Sequence, residues 1–451
     1  MKPTLLLAAL MTVSAPTLAQ DLPAPPDVEQ RPHVVTAPHG AERQDEYYWL
    51  RDDSRKNPEM LAYLNAENAY ADAYMARLKP LEDTLYDEIV GRIKQDDSSV
   101  PYRERGWWYY SRFETGQDYP VYARREGAME APEQVLLDVN VMAAGKDYFN
   151  VGDWEVSQDN TLLAWAEDDV GRRQYVIRVK DIATGKVLDD EIRGVSANIV
   201  WADDNRTLFY VENDPETLLT VRVKKHVLGT PSSEDELVYE EHDDSFYMGI
   251  GRTRDDQYIC IGVESTVSSE SRCAPAADPR EFAVLAPRER DVEYDADHHD
   301  GRWVIRTNAD GAENFKLVTA PTDASSRAQW IDLVPHREDV FIDDYDLFDG
   351  FIAIGERSGG LERIRVLKPG AEEFVAADEP AYSMGLDVNA EPQTDWLRYG
   401  YTSMTTPSTN TSSSWPIHSF HCARELASLG AVISLKFSAP SALVRITQRP
   451  P

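Results

Sequence analysis

The residues best suited to acid–base or metal chemistry are clustered in one short run, residues 295–300. Its members are Asp295, Asp297, His298, His299 and Asp300. Carboxylates and imidazoles bind cations, but a calcium loop that began at Asp295 would need a glutamate at its twelfth position, where Arg306 stands. Adjacent histidines in a strand also point to opposite faces. The run is therefore interpreted as a surface turn, and the aspartates of residues 343–346 as a solvated edge, rather than as metal sites.

A serine nucleophile of the α/β-hydrolase type is not encoded in these 451 residues. Such an enzyme needs the pentapeptide G-x-S-x-G, whose strained turn exposes the serine at the edge of the sheet. Residues 194–198 (Gly-Val-Ser-Ala-Asn) come nearest, but they lack the second glycine and are interpreted as a polar turn between strands. No glycine-rich phosphate loop opens a helix after a strand. The sequence therefore assigns no catalytic residue, no cofactor-binding residue and no metal ligand, and it predicts no cofactor.

Three cysteines are too few for a disulfide scaffold. Cys260 and Cys273 could face each other across a hairpin centred near Thr266 and Val267. A disulfide between them is possible in an oxidising compartment. The third cysteine, Cys422, has no nearby partner in the sequence.

The chain is strongly acidic, with 79 Asp and Glu against 46 Lys and Arg and a formal charge of −33. Such a charge repels phosphate backbones, so nucleic acid is excluded as a partner. The acids are dispersed along the chain, which is typical of a solvated surface. Two interpretations stay open: the charge serves solubility, or it attracts cationic peptides into an acidic cavity.

The first 19 residues read as a signal peptide. Lys2 supplies the positive start, the apolar run 5–13 is too short to span a bilayer, and Ala19 suits cleavage before Gln20. No other segment is predicted to cross a membrane. The mature chain is therefore expected to be exported, with the periplasm as its destination.

An extended and helical segment, residues 20–100, follows. Asn57 is a good N-cap and Pro58 fits the first helical position, so a helix is predicted over residues 57–78. Its apolar residues recur at helical spacing along one face. These are Leu61, Leu64, Ala71, Met75 and Leu78. A second helix is predicted over residues 81–94.

From residue 101 onwards a turn followed by an apolar strand recurs at an even interval. The markers are Gly106, Asn160, Asn205, Asp256, Gly301, Gly350 and Asp395. The intervals between them are 54, 45, 51, 45, 49 and 45 residues, which is the period of a four-stranded propeller blade. A pair of β-sandwiches would lack this regularity. The sequence therefore predicts a mainly β fold, a seven-bladed β-propeller over residues 101–409.

The seventh unit is expected to be incomplete. It has strands near residues 385–388 and 396–401, and no outer strand is predicted after them. Residues 410–451 contain a single acid, Glu425, whereas the preceding 409 contain 78. A natural tail of unusual composition and an out-of-frame translation product are both compatible with this change, and the second is preferred.

Three segments of the chain resemble the prolyl oligopeptidase family, and most of all its oligopeptidase B branch. Residues 45–53 (Asp-Glu-Tyr-Tyr-Trp-Leu-Arg-Asp-Asp), with 62–68 (Ala-Tyr-Leu-Asn-Ala-Glu-Asn), are similar to the start of these enzymes. Residues 400–409 (Gly-Tyr-Thr-Ser-Met-Thr-Thr-Pro-Ser-Thr) are similar to the end of the propeller. Glu356-Arg357 with Gly360-Leu361 resembles a strand pair of oligopeptidase B. The resemblance covers residues 30–409.

The resemblance implies a seven-bladed propeller that covers an α/β-hydrolase domain and limits the size of its substrates. It implies cleavage of short peptides, after Arg or Lys in the oligopeptidase B branch. Because the match stops at Thr409, the hydrolase domain is expected to be missing and the chain to be inactive alone. The expected partners are short basic peptides and that hydrolase domain. The alternative is a free-standing exported propeller that binds peptides or small ligands without catalysis.

Overall fold

The computed structural model describes residues 24–323, 325–377, 379–406 and, for the backbone, 409–413. The proposed signal peptide and most of the tail after residue 409 lie outside these described residues. The chain divides into two compact units, residues 1–91 and 92–451. Within the described ranges, no helix is long and apolar enough to cross a membrane.

The first unit is a small hairpin followed by two helices. Its elements are β1 (Val34–Thr36), β2 (Glu42–Gln44), 3-10 turns at Tyr48–Leu50 and Ala76–Leu78, α1 (Pro58–Met75) and α2 (Lys79–Val90). The side chain of Asn57 accepts hydrogen bonds from the backbone N–H of Glu59 (2.9 Å) and Met60 (3.4 Å), which confirms the predicted cap. The second helix ends at Val90, four residues before the predicted end.

The apolar side chains of both helices are largely exposed. Met60 is the only buried residue in α1, and Leu81, Leu85 and Ile89 of α2 are about half exposed or more. The stripe recognised from spacing therefore exists as a row of side chains that the first unit leaves largely unburied.

Among the described residues, the second unit contains six antiparallel sheets, one of which has seven strands and forms two blades. Its helical elements are α3 (Val139–Ala143) and 3-10 turns at Ser232–Glu234, Ala309–Gly311 and Arg327–Gln329. In chain order the strands are β3 Tyr102–Glu104, β4 Trp107–Arg112, β5 Val121–Glu126, β6 Gln134–Asp138, β7 Asn150–Val156, β8 Leu162–Asp168, β9 Tyr175–Asp181, β10 Val187–Trp201, β11 Thr207–Asn213, β12 Thr220–Val227, β13 Glu236–Glu240, β14 Tyr247–Arg252, β15 Tyr258–Glu264, β16 Ser269–Pro275, β17 Ala283–Val284, β18 Tyr294–His299, β19 Arg302–Thr307, β20 Lys316–Pro321, β21 Ile331–Val334, β22 Val340–Leu347, β23 Ile352–Ser358, β24 Leu361–Lys368, β25 Ala371–Phe374, β26 Tyr382–Leu386, β27 Leu397–Ser403 and β28 Thr409–Ser413.

These sheets are the blades of a propeller, numbered here along the chain. Blade 1 is β3–β6, blades 4, 5 and 6 are β14–β17, β18–β21 and β22–β25, and blade 7 is β26–β28. Blades 2 and 3 share the long strand β10. Its first part pairs with β9 and its last part with β11, with an irregular register around Val195–Ile199. The predicted number of seven blades is confirmed.

Side-chain contacts connect each blade to the next and close the ring. Asn198 of blade 3 donates to the carbonyl of Ile250 in blade 4 (2.9 Å), and Tyr345 of blade 6 donates to the carbonyl of Val304 in blade 5 (2.7 Å). Between the last blade and the first, Arg398 of β27 donates to two backbone carbonyls of the segment that leads into β3, at 2.7 and 2.9 Å.

The repeat markers found in the sequence are the turns between the first and second strands of each blade. Asn160, Asn205 and Asp256 occupy these turns with φ of 64°, 55° and 59°. Asn and Asp tolerate this left-handed conformation better than most residues. The strand after each marker is therefore the second strand of a blade, and each blade begins one strand earlier than its marker.

Blade 7 has three described strands instead of four, which confirms the predicted incomplete last blade, but one strand was not expected. A third strand, β28 (Thr409–Ser413), pairs with β27 over five residues, from Tyr401↔Thr409 to Leu397↔Ser413. The expectation that no strand follows residues 396–401 is therefore wrong. Asn410, where the composition changes, lies inside this strand. The strand carries none of the apolar residues that were used to recognise strands from the sequence, so it was not predicted. The out-of-frame origin of the tail stays a prediction.

Cys260 of β15 and Cys273 of β16 are directly opposite each other and form a disulfide. The hairpin between these two strands is the one predicted from the sequence. The disulfide closes a loop of 13 residues in the middle of blade 4.

Candidate functional site

The innermost strands of the blades surround a hollow channel along the axis of the propeller. At the end of the channel where the first and second strands connect, it widens into a cavity of about 450 Å³, called here the chamber. Residues from six of the seven blades line it: Glu104, Arg105, Asp153, Glu155, Gln158, Asn198, Trp201, Arg252, Arg254, Asp256, Asp297 and Ala390 are among them. A cavity with walls from so many blades lies on the axis of the ring.

Carboxylates dominate the wall contributed by blades 1 and 2. Asp153 of β7 accepts hydrogen bonds from the backbone N–H of Trp154 (2.9 Å) and Ile199 (3.1 Å). Burial outweighs these bonds and raises the pKa of Asp153 to about 6. Burial likewise raises the pKa of Glu104, whose carboxylate lies 3.1 Å from the guanidinium of Arg105.

Glu155 is the least compensated of these carboxylates. It lies deep in the protein but remains partly accessible, because the channel beside it is hollow. Burial raises its pKa well above the usual range, and the carboxylates of Glu104 and Asp153 raise it further. No hydrogen bond from the described residues reaches its carboxylate. The acidic group of Glu155 therefore faces the chamber and accepts no hydrogen bond from the described residues.

The aspartates of the run 295–300 lie in the same channel rather than in a surface turn. Asp295 and Asp297 belong to β18, the innermost strand of blade 5, and only Asp300 lies in the turn that follows. Burial raises the pKa of Asp295 to about 6 although Arg306 is 3.2 Å away, and burial also raises the pKa of Asp297. The interpretation as a surface turn is wrong because an inner propeller strand faces a channel rather than a dry core.

The second acidic run, residues 343–346, is also part of an inner strand. Asp343, Asp344 and Asp346 belong to β22 of blade 6. Asp346 is buried and pairs with Arg254 and with the side chain of Asn389 (2.8 Å), whereas Asp344 is exposed. The interpretation as a solvated edge is wrong for Asp346, which is buried.

The two adjacent histidines point to opposite sides, as the sequence indicates. His298 is buried, with its Nδ1 2.7 Å from Asp255 and its Nε2 3.0 Å from the hydroxyl of Thr322. His299 contacts Asp349 at 3.2 Å. Among the residues that the structure describes, no group of three or more His, Cys, Asp or Glu side chains could hold a metal ion.

Residues 194–198 do not form a nucleophile elbow. They lie within the continuous strand β10, where blades 2 and 3 meet, rather than in a turn between strands. Asn198 accepts a hydrogen bond from the backbone N–H of Ile250 (2.7 Å) and therefore joins two blades. The serine of this segment has no base beside it that the structure shows.

Sequence reasoning missed the acidic wall itself. Asp153 and Glu155 alternate on β7 just before a repeat marker, and Glu104 occupies the corresponding place before Gly106. Acids at alternate positions ahead of a blade turn are therefore the signal that would have indicated an acidic channel.

The sequence model of the family described as "Prolyl oligopeptidase, N-terminal beta-propeller domain" matches residues 26–412. Dipeptidyl aminopeptidase BI of Pseudoxanthomonas mexicana is 66% identical over 428 residues, which cover 91% of this chain and 59% of that protein. Protease 2 of Moraxella lacunata is 31% identical over 387 residues, covering 84% of this chain and 55% of that protein.

Solved structures of similar fold include oligopeptidase B from Leishmania major, with a TM-score of 0.84 and 31% identity. Oligopeptidase B from Trypanosoma brucei, in a closed form with covalently bound antipain, has a TM-score of 0.82 and 27% identity. Each comparison covers 89% of this chain and 61% of the other.

A closed ring of antiparallel blades around an axial channel defines the β-propeller class. Within that class, the chain belongs to the prolyl oligopeptidase family, of which residues 26–412 are the N-terminal propeller. The chain spans about three-fifths of the length of the relatives it matches. The family match extends three residues beyond Thr409, the predicted end of the resemblance.

Proposed function

We propose that this chain is the substrate-selecting propeller of a serine oligopeptidase that cleaves short peptides after Arg or Lys. The observation that carries the proposal is the acidic axial chamber, about 450 Å³ in volume, with the uncompensated carboxylate of Glu155 in its wall. A cavity of this size admits a few residues of an extended peptide and excludes a folded protein. Its carboxylates favour a ligand with a guanidinium or ammonium group.

The exposed apolar side chains of α2 support a partner domain. Leu81, Leu85 and Ile89 lie at helical spacing and are all about half exposed or more. Such a stripe is stable in water only when another surface covers it. The proposal therefore assigns an α/β-hydrolase domain as the partner that completes the enzyme.

Export is part of the proposal. The disulfide between Cys260 and Cys273 suits an oxidising compartment such as the periplasm. The mass of the mature protein tests this directly, because cleavage after Ala19 would leave Gln20 as the first residue.

Binding of a short peptide to the purified chain tests the selection of cations. A labelled tripeptide with a central arginine is compared with the same peptide carrying citrulline, which has nearly the same shape but no charge. We expect the arginine peptide to bind at least about tenfold more tightly, with an affinity that falls as salt increases. Equal affinity for the two peptides would contradict the proposal.

Two matched variants locate the binding. Glu155→Gln removes the ionisable group of Glu155 from the chamber wall, and Glu216→Gln removes an ionisable group from an exposed loop outside it. Only the first substitution is expected to weaken binding of the arginine peptide.

The chain alone is expected not to hydrolyse a short arginyl substrate, since it contains no G-x-S-x-G. Turnover blocked by a serine-directed reagent would disprove that expectation.

A further inference from the structure

The connection between the first and second strands of blade 7 is unusually long. In the other six blades this connection has two to five residues, from 105–106 in blade 1 to 253–257 in blade 4. In blade 7 it comprises ten residues, 387–396, called here the crossing loop. A turn of two residues is enough to join antiparallel strands, so the extra length requires another explanation.

The crossing loop reaches residues on three other blades. The backbone carbonyl of Asn389 accepts a hydrogen bond from the guanidinium of Arg254 in blade 4. On blade 6, the side chain of Asn389 donates to Asp346 (2.8 Å), and the carbonyl of Pro392 accepts from the N–H of Asp349 (3.1 Å).

The third set of contacts is on blade 1. The carboxylate of Glu391 lies 3.4 Å from the backbone nitrogen of Gly106 and 3.8 Å from the guanidinium of Arg103. In a ring of seven blades, blade 4 is as far from blade 7 as a blade can be. A loop that contacts blades 1, 4 and 6 at once therefore crosses the axis. Consistent with this, Ala390 at its centre is part of the chamber wall.

We infer that the crossing loop closes the channel at this face of the propeller, and that Arg254 of blade 4 holds it there. The inference deepens the proposed function, because it concerns access to the same chamber, but it rests on the contacts of the loop and not on peptide binding. A peptide enters or leaves through this face only when the bonds between Arg254 and the loop are broken.

Arg254 is suited to this role because it holds the loop in two ways. Its guanidinium donates to the carbonyl of Asn389 and pairs with Asp346, which in turn accepts from the side chain of Asn389. The backbone N–H of Arg254 donates to the side chain of Asp297 at 2.7 Å. This bond anchors the main chain of Arg254 to blade 5. Charge-assisted bonds of a planar guanidinium to two acceptors are among the stronger contacts in proteins.

Hydrogen exchange of the full chain measures closure without a ligand. In the wild-type chain, the backbone amides of residues 387–391 and 393–396 are expected to exchange slowly, since closure protects them. Arg254→Leu is expected to speed their exchange by about tenfold or more, because it removes charge-assisted bonds that hold the loop. Arg252→Leu is the matched control, because Arg252 lines the same chamber but contacts Trp201, Asp203 and Asp256 instead of the loop.

Two results would overturn the inference. One is exchange in the wild-type loop as fast as in an unstructured peptide. The other is equal acceleration by Arg254→Leu and Arg252→Leu, which would indicate a general loss of packing.

A second variant covers the case in which Arg254→Leu does not fold. Residues 388–395 are replaced by Asn-Gly, a sequence that forms short hairpin turns. A reporter cysteine is placed in the chamber by Gln158→Cys, with Cys422→Ser to remove the other thiol. The shortened loop is expected to raise, by several-fold, the rate at which a thiol reagent modifies the reporter. Reagent that enters through the opposite face contributes the same background rate in the chain with the natural loop and in the chain with the shortened loop. An unchanged rate would refute closure, even if peptide binding to the chamber were intact.

Discussion

At the scale of single residues, the inner strands alternate between side chains that face the channel and side chains that pack between blades. Gly152 of β7 lies where the strand packs closely against neighbouring residues. A β-carbon at this position would lie 2.5 Å from both the β-carbon of Ala197 and the ring of Tyr175. Asp153 and the accessible acid Glu155 of the same strand, by contrast, line the chamber. A single strand thus combines close packing with an open acidic surface.

Gly152→Ala is expected to lower the free energy of unfolding by about 1–3 kcal/mol, because the added methyl group overlaps Ala197 and Tyr175. Denaturant-induced unfolding measures the loss. Gly251→Ala is the control, since an added β-carbon at Gly251 on β14 meets no atom within 4 Å. A similar loss in both variants would show that backbone freedom, and not the close contact, decides the stability.

At the scale of elements, blade 6 is held together by a buried ionic cluster. The side chain of Glu356 on β23 is fully buried and contacts the guanidinium groups of Arg337, Arg363 and Arg365. Glu356 is part of the strand pair that resembles oligopeptidase B. Breaking a buried ion pair from one side leaves charges without compensation, which costs more than the pair contributes when intact.

Glu356→Gln is therefore expected to destabilise the chain by about 3 kcal/mol. Glu372→Gln provides the comparison, because Glu372 pairs with the same Arg365 at 3.3 Å but its side chain is 60% exposed. That change is expected to cost less than about 1 kcal/mol. Thermal and denaturant unfolding of the two variants would separate the buried partner from the exposed one, and equal losses would contradict this account.

The elements were largely predictable, and the contents of the channel were not. Positive-φ turn residues such as Asn160 and Asn205 punctuate the chain, and the number of blades follows from their spacing. The sequence places Asp295 and Asp297 at the surface, because polar residues that alternate with apolar ones are usually assigned to the solvent side of a strand. In a propeller, the polar side of an inner strand faces the channel. The crossing loop escaped notice because its marker, Asp395, lies near its end and most of the loop comes before that marker. Its extra residues leave the interval from Gly350 to Asp395 at 45, like two others.

At the scale of the whole molecule, the chain is strongly acidic, with a net charge of −33, and its chamber wall is also rich in acidic residues. Arginines offset part of the acid in its wall, but Asp153, Glu155 and Asp297 all have a raised pKa, so burial outweighs their partners. The charge of the chamber therefore depends on pH in a range where surface carboxylates are fully ionised.

Binding of the arginine peptide is expected to strengthen as pH rises from 5 to 7.5. Asp153 and Asp295 have pKa values of about 6, so they lose their protons in this interval, while the guanidinium of the peptide stays charged. If the bound cation lowers each pKa by about 0.5, the affinity rises by about tenfold across the interval. Titration calorimetry at several pH values measures this change. The citrulline peptide should show a flat profile, and a flat profile for both peptides would argue against ionisation of these two acids.

The strand β10 gives the ring an uneven mechanical character. Blades 2 and 3 share its backbone, so they are joined by continuous main-chain hydrogen bonds. Blades 7 and 1, by contrast, are joined through side chains such as Arg398, whose guanidinium contacts two carbonyls of the opposite blade. Under load or thermal fluctuation, β10 therefore acts as a splint: blades 2 and 3 are expected to move as one body, whereas the other neighbouring blades are separate sheets and can shift against each other.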